Sequence, residues 1–454
     1  MNDNDIILQA KGLKKHFVDN ETFLHRLIPG LAPQYVRAVD GVDLEIRRGE
    51  TLALVGESGC GKSTLARTIL RLIEPTDGEI YIDGENITEY SKKELQEVRS
   101  KAQLIYQDPF ASLNPRYTIK KTLVEPMKVH NRGNTNEERT KIAADLIERV
   151  GLKREHLDRY PHEFSGGQRQ RIGIARALSV EPELIVADEP TSALDVSMQS
   201  QLLNLLDELK ETLNLSILYI THDLSLIRHI ADRGSVMYLG NIVETAPVEN
   251  LFLEPKHPYS QALFSSIQLP DPTAHYERIP LVGDVPTPID PPSGCSFHPR
   301  CHQVIPPENW PSDQTTYQTF LQFKKQALNK NIDKSAIREQ LQLRQGTSVA
   351  DSDIIEFLYQ EHIESELEDD AILPEEVRST IESVLQSIVS DNYAAAVDQL
   401  EQSYTSVCEQ TVPEQIDLNS NHCVDCHHYN DEVNKGVEID AWSPLSSVIS
   451  GKSN

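Results

Sequence analysis

Gly56-x4-Gly61-Lys62-Ser63-Thr64 follows a short apolar run, Thr51 to Val55, and has the Gly-x4-Gly-Lys-Ser/Thr pattern of a phosphate-binding loop. The residues between the two glycines are Glu57, Ser58, Gly59 and Cys60. Glycines let the backbone bend so that successive N–H groups point inward, the following helix presents its positive end, and Lys62 adds a full charge. Polyphosphate fits such a cradle. Its chemistry needs a magnesium ligand and a group that aims the attacking water. Leu184-Ile185-Val186-Ala187-Asp188-Glu189 is an apolar strand ending in two carboxylates: Asp188 can hold Mg2+ with Ser63, and Glu189 can polarise water. Phe164-Ser165-Gly166-Gly167-Gln168 precedes a helix-forming stretch, Arg169 to Ser179, so Ser165 to Gln168 reads as a second anion cradle or as an ordinary capped turn.

Placing these side chains takes strands that end beneath them and helices that follow. Ile6 to Leu8, Val42 to Ile46, Glu79 to Ile82, Ala102 to Tyr106, Leu184 to Ala187, Ser216 to Ile220 and Ser235 to Leu239 read as strands. Ser63 to Leu72, Glu137 to Val150 and Gln199 to Thr212 read as helices, giving an α/β fold with a parallel core sheet. Asn20 to Gln34, with Pro29, Gly30 and Pro33, reads as a loop, and residues from about 111 to 180 read as a strand-free helical insertion. Beyond residue 250, prolines at 255, 258, 270, 272, 280, 286, 288, 291 and 292 predict an extended connector and not a helix.

Residues 302–407 carry 19 Asp and Glu against 7 Lys and Arg, so −12 of the chain's net −27 lies in this segment. In Pro374 to Ser390 the residues Val377, Ile381, Val384, Leu385 and Ile388 share one helical face, and Asp391 to Tyr404 suits another helix. The segment reads as a small acidic helical insert, with disorder as the alternative for Ser352 to Asp370.

A chain of 454 residues with 39% hydrophobic content supports two or three domains. No run approaches the roughly 18 apolar residues of a membrane span, and Met1 to Asp5 resembles no signal peptide, so a soluble cytoplasmic chain is expected. Net charge −27 argues against nucleic acid as a partner; a saline cytoplasm, and hence a halophilic source, is one reason for such acidity. Five of six cysteines, Cys295, Cys301, Cys408, Cys423 and Cys426, lie in the last third, where a reducing cytosol favours metal binding over disulfides.

Taken in order with Gln107, Asp195 and His222, these motifs resemble the ATP-binding cassette ATPases over about residues 5–301 and again over 408–428. That resemblance implies ATP and Mg2+ as ligands, with Gly56 to Thr64 as phosphate loop and Ser63, Gln107 and Asp188 around the metal. It makes Gln107 the lid glutamine, Ser165, Gly166, Gly167 and Gln168 the signature, and Glu189 the catalytic base. Ser192 to Asp195 links the two sites, and His222 senses the γ-phosphate. Lys62, Gln107, Glu189 and His222 are thus the catalytic set. Phe164 stands where the wider superfamily usually has Leu. An aromatic on the first hairpin stacks on adenine in this family; Phe17 is the choice, Tyr35 the rival and core packing the plain alternative.

Gln107-Asp108-Pro109-Phe110-Ala111-Ser112-Leu113-Asn114-Pro115, Tyr160 to Ser165, His257 to Leu263 and Cys295 to Cys301 are similar to phrases of the oligopeptide and dipeptide importer ATPases. Leu13 to Phe17 and the Cys60 loop favour the second of their two ATPase types. Import of peptides is therefore expected; nickel or sugar import, or a soluble cassette ATPase acting on DNA or ribosomes, are the alternatives. The resemblance also implies partners: two integral membrane permease subunits, a sister ATPase in a heterodimer or a second copy in a homodimer, and indirectly an external solute-binding protein. The chain would sit on the cytoplasmic face of the membrane.

In some relatives four cysteines hold a four-iron, four-sulfur cluster, and Cys295, Cys301, Cys408 and Cys426 match that set. Zinc is the alternative, drawing on Cys423-x2-Cys426 and on His298, His302, His422, His427 and His428. For Cys408 to reach Cys301 the ends of the insert must lie close together. Expected divisions are 1–250 for the ATPase domain with its helical part at about 111–180, 251–301 for the transporter-type region, 302–407 for the insert and 408–454 for the tail. Cys60 is expected to be alkylated with loss of activity, and ATP to protect it.

Overall fold

A computed structural model of the chain describes residues 5–18, 34–192, 194–267, 278–281, 283–328, 332, 334–345, 349–367, 372–419 and 421–433. Nearly all of the expected loop from Asn20 to Gln34 lies outside these residues, as do Ala193 and the last 21 residues of the expected tail.

The strands are β1 (Ile6–Val18), β2 (Tyr35–Arg47), β3 (Thr51–Val55), β4 (Asp77–Ile82), β5 (Glu85–Asn86), β6 (Ala102–Ile105), β7 (Leu184–Asp188), β8 (Ser216–Ile220), β9 (Arg233–Tyr238), β10 (Asn241–Pro247), β11 (Gln415–Asn419) and β12 (His422–Asp425). One sheet runs β2-β1-β4-β5 and the other β11-β12-β10-β9-β3-β8-β7-β6. Strands β9, β3, β8, β7 and β6 pair in parallel, and every residue of β3, β7 and β8 is buried. Unbroken apolar runs are what a parallel strand covered on both faces requires. One face packs against β1, β2 and the helix Lys62–Ile69 through Leu52, Leu54, Leu65 and Ile69. The other packs against helix Val196–Leu213 and the helical segment. That segment holds helices Ile119–Val129, Asn136–Arg149 and Gly166–Leu178, whose Ile119, Leu123, Ile147 and Ile172 are fully buried.

The proline-rich tract does not run extended from its start. Val248–Leu253 and Pro258–Ser265 are helices. Pro258 occupies the first helical position, where no N–H is needed, and His257 Nδ1 accepts from Tyr259 N at 3.0 Å to cap the turn. Proline counts against a helix interior but favours its first turn, and this tract uses the second rule.

The acidic segment folds as helices Gln314–Leu328, Lys334–Gln345, Asp351–His362, Glu375–Val389 and Tyr393–Gln402 around a core of their own. Val377, Ile381, Val384, Leu385 and Ile388 are all fully buried. Helix Asp351–His362 buries Ile354, Leu358 and Tyr359, which replaces the disorder reading over that helix with a packed one. The ends of the insert meet: Cys295 N donates to Cys408 O at 2.8 Å, and Ser406 Oγ donates to Ile305 O at 2.5 Å. Beyond it, β11 and β12 form a hairpin that extends the main sheet, with Glu244 opposite Val424 and Thr245 opposite Cys423. His422 Nε2 meets Glu244 Oε1 at 2.8 Å in a buried pair across that seam. Among the described residues no helix is long and apolar enough to cross a membrane.

Candidate active site

The central parallel strands end side by side, and the candidate residues follow them. After β3 the chain turns at Gly56, where an added Cβ would stand 2.1 Å from Met237 O, and again at Gly61, where it would stand 2.1 Å from Ala38 O. Both have positive φ, +151° and +113°, so close approach and backbone geometry each demand glycine. Lys62 is buried, and its Nζ donates to Gly56 O at 2.8 Å and Glu57 O at 2.9 Å. Ser63 Oγ donates to Asp188 Oδ1 at 2.9 Å, bringing together the two oxygen ligands expected for magnesium. Burial pushes the Asp188 carboxyl above its usual range, against the pull of Ser63 and Arg67.

Cys60 is 4% exposed, and burial pushes its thiol up despite Lys62 beside it. Its Sγ lies 3.8 Å from Lys62 Nζ, and its burial in the core argues against ready alkylation.

Glu189 follows β7 with φ at 45°, an uncommon value for a residue with a side chain. Its N–H donates to Ile220 O at 3.0 Å, and its carboxylate is held from two sides. Gln107 Nε2, after β6, reaches Glu189 Oε2 at 2.9 Å; His222 Nδ1, after β8, reaches Oε1 at 3.0 Å. Three adjacent strands thus deliver three side chains to one point. Backbone strain of this kind costs about 1–3 kcal/mol and persists where neighbouring structure imposes it.

Ser165 and Gln168 form a capping box at the start of helix Gly166–Leu178: Ser165 Oγ accepts from Gln168 N at 3.4 Å, and Gln168 Oε1 accepts from Ser165 N at 3.1 Å. A Cβ on Gly166 would meet nothing within 4 Å, whereas one on Gly167 would stand 2.4 Å from Met198 Cε. Asp195 Oδ1 caps helix Val196–Leu213 by accepting from Met198 N at 2.9 Å, and Ser192 Oγ donates to Glu189 O at 3.1 Å. Among the described residues no hydrogen bond or ion pair joins residues 165–168 to the loop 56–64. Phe17 and Tyr35 are 37% and 44% exposed on neighbouring strands, with Phe17 paired to Val36, so Phe17 is not a core residue.

Two further residues touch the loop that motif spacing did not single out. Arg300 pairs with the Glu57 carboxylate, and Tyr259 OH accepts from Glu57 N at 2.9 Å. Both lie in the phrases that carried the resemblance; their contact needed the fold.

Cys295, Cys301, Cys408 and Cys426 lie near enough to influence one another. Burial first, and then their neighbouring thiols, push up Cys295, Cys301 and Cys426, the first to about 12; burial also raises Cys408. Backbone N–H groups address the sulfurs, as where Gln303 N donates to Cys301 Sγ at 3.4 Å. Cys423 is apart, donating to Asp417 Oδ1 at 2.9 Å, and His422 and His428 are engaged by Glu244 and Gln303 O. Among the described residues no group of three or more His, Cys, Asp or Glu side chains stands ready-spaced around a metal.

Strand order, phosphate loop and the three-way meeting at Glu189 define a nucleotide-binding ATPase. A family model described as ABC transporter matches residues 39–192, and one described as oligopeptide/dipeptide transporter, C-terminal region, matches residues 243–306. Residues 314–420 match a domain of unknown function, DUF8228. The chain is 54% identical over 302 residues to the oligopeptide-transport-type ATP-binding protein YkfD of Bacillus subtilis, covering 66% of this chain and 88% of that one. It is 49% identical to the oligopeptide transport ATP-binding protein AppF of the same organism (66% and 91% covered) and 48% identical to the dipeptide transport ATP-binding protein DppF of Haemophilus influenzae (66% and 89%). The chain belongs to the ATP-binding subunits of the oligopeptide/dipeptide ABC transporters.

Proposed function

We propose that this chain hydrolyses ATP to energise import of di- and oligopeptides through a membrane permease. The observation that carries the chemistry is Glu189, held between Gln107 and His222 beside the Ser63–Asp188 pair. The loop N–H groups and Lys62 bind the phosphates, releasing Lys62 from the carbonyls of Gly56 and Glu57. Ser63, Asp188 and Gln107 would hold Mg2+, and the charge it would supply offsets the negative charge of the phosphates. Glu189 accepts the proton of the attacking water, and His222 and Gln107 orient it. Phe17 stacks on adenine.

One phosphate loop and one signature per chain, with no bond between them among the described residues, support a composite site. In this reading Ser165 to Gln168 and Asp195 serve the ATP bound by a second ATPase subunit, either a sister chain or a second copy, on two permease subunits fed by an external binding protein. ATP then closes the pair because its γ-phosphate adds contacts that hydrolysis removes. The chain works from the cytoplasmic face of the membrane without nucleic acid. The working divisions remain 1–250, 251–301, 302–407 and 408–454, with the helical part at about 111–180.

Cys295, Cys301, Cys408 and Cys426 are proposed as a four-thiolate centre. Four thiolates are the donor set that a four-iron cluster takes, and in this reading Cys423, which donates to Asp417 Oδ1, stays outside it. Iron content and thiolate-to-iron absorbance of protein purified without oxygen test this; iron-free protein with four reactive thiols would contradict it. For the main reading, Glu189→Gln is the test: ATP binding kept, hydrolysis nearly abolished.

A further inference from the structure

Cys295 and Cys301 bracket five residues, of which Arg300 reaches the phosphate loop. Phe297 is fully buried, with its ring 5.2 Å from Tyr238 and 5.3 Å from Tyr259. Arg300 is only 4% exposed along its side chain, and its two terminal nitrogens donate to Glu57 Oε2 at 2.7 Å and Oε1 at 3.2 Å. A guanidinium that deep needs a partner, and the bidentate carboxylate supplies one with fixed geometry.

Glu57 is in consequence tied at three points. Its carboxylate takes Arg300, its N–H donates to Tyr259 OH at 2.9 Å, and its carbonyl accepts from Lys62 Nζ at 2.9 Å. The segment that carries Arg300 is itself anchored on the acidic insert and just past its end: Gln318 Nε2, on helix Gln314–Leu328, donates to Cys301 O at 3.3 Å, and Cys295 N donates to the O of Cys408, the residue that follows the insert, at 2.8 Å. We infer that Arg300 is a positioning residue of the ATP site: through Glu57 it sets the phosphate loop and the starting place of the Lys62 ammonium. The stretch 295–301 is thereby a wall of the nucleotide site, and the insert braces that wall from behind. This rests on the ATPase reading above.

The test compares the affinity of full-length protein for a fluorescent ATP analogue in wild type, Lys62→Ala, Arg300→Gln, Arg300→Lys, Glu57→Gln and the Arg300→Gln, Glu57→Gln double variant. Each single Gln variant is expected to weaken binding on the order of tenfold, because a buried charge pair loses one member. The double variant is expected to be no weaker than the weaker single, since one interaction is removed only once. Arg300→Lys keeps the charge with fewer contacts and recovers part of the loss. In steady-state hydrolysis KM for ATP rises while kcat changes little, since the same contact serves ground and transition states. Unchanged affinity in both singles, or losses that add in the double, would overturn the inference. Should Arg300→Gln not fold, Glu57→Gln decides alone. Failure of the wild type itself to bind ATP, equal to Lys62→Ala, would instead overturn the ATPase reading.

Discussion

Glu189 owes its place to three strands at once, since its backbone is pinned to Ile220 and its carboxylate to Gln107 and His222. Glu189→Gln keeps the size and the Gln107 and His222 neighbours but cannot take a proton, so turnover is expected to fall by about 10²–10⁴-fold, the usual worth of a general base, with ATP affinity retained. Lys62→Ala fails earlier, at binding, and equilibrium dialysis with ATP reads the difference. Cys60, buried with a raised thiol, is expected to label slowly with a maleimide whether or not ATP is present, and mass spectrometry of the native protein checks this. At this scale the sequence was legible wherever residues were close in the chain. Ser63 with Asp188 could be paired from known chemistry, but the burial of Cys60 depends on the core that closes around it. Arg300 and Glu57, 243 positions apart, are related by nothing in their spacing.

Among the elements, the loop tolerates no side chain at Gly56, where Met237 O would lie 2.1 Å from a Cβ. Gly56→Ala is expected to abolish ATP binding and lower the melting temperature together, because the obstacle is backbone and cannot swing aside. The acidic insert offers a separate measure. Ile381 is fully buried on helix Glu375–Val389, and Ile381→Ala should cost about 2–5 kcal/mol of the insert's stability, seen as a lower-temperature transition by calorimetry. That helix was readable because its apolar residues recur at helical spacing. The hairpin β11–β12 was missed although Gln415-Ile416-Asp417-Leu418-Asn419 alternates polar and apolar residues; its meaning came only from docking on β10. Prolines misled for the opposite reason: a count of them hid the one, Pro258, that starts a helix.

For the whole molecule, the α/β layout and its parallel core sheet follow from the apolar runs, and the structure bears both out. The joining of the insert, the cysteine segment and the phosphate loop was not legible in the sequence, because it depends on contacts across more than a hundred residues. On the proposed reading, a chain with one phosphate loop and one signature completes its ATP site with a second ATPase subunit, and its activity belongs to the assembly. The most direct measurement is uptake of a labelled oligopeptide by cells whose only copy of this subunit is wild type or Glu189→Gln, with ATP binding and hydrolysis measured on the same purified assemblies. Expected is uptake with the wild type, and loss of both uptake and hydrolysis with ATP still bound in the variant. Uptake that continues in the Glu189→Gln cells would contradict the assignment of this chain as the ATP-hydrolysing driver of import.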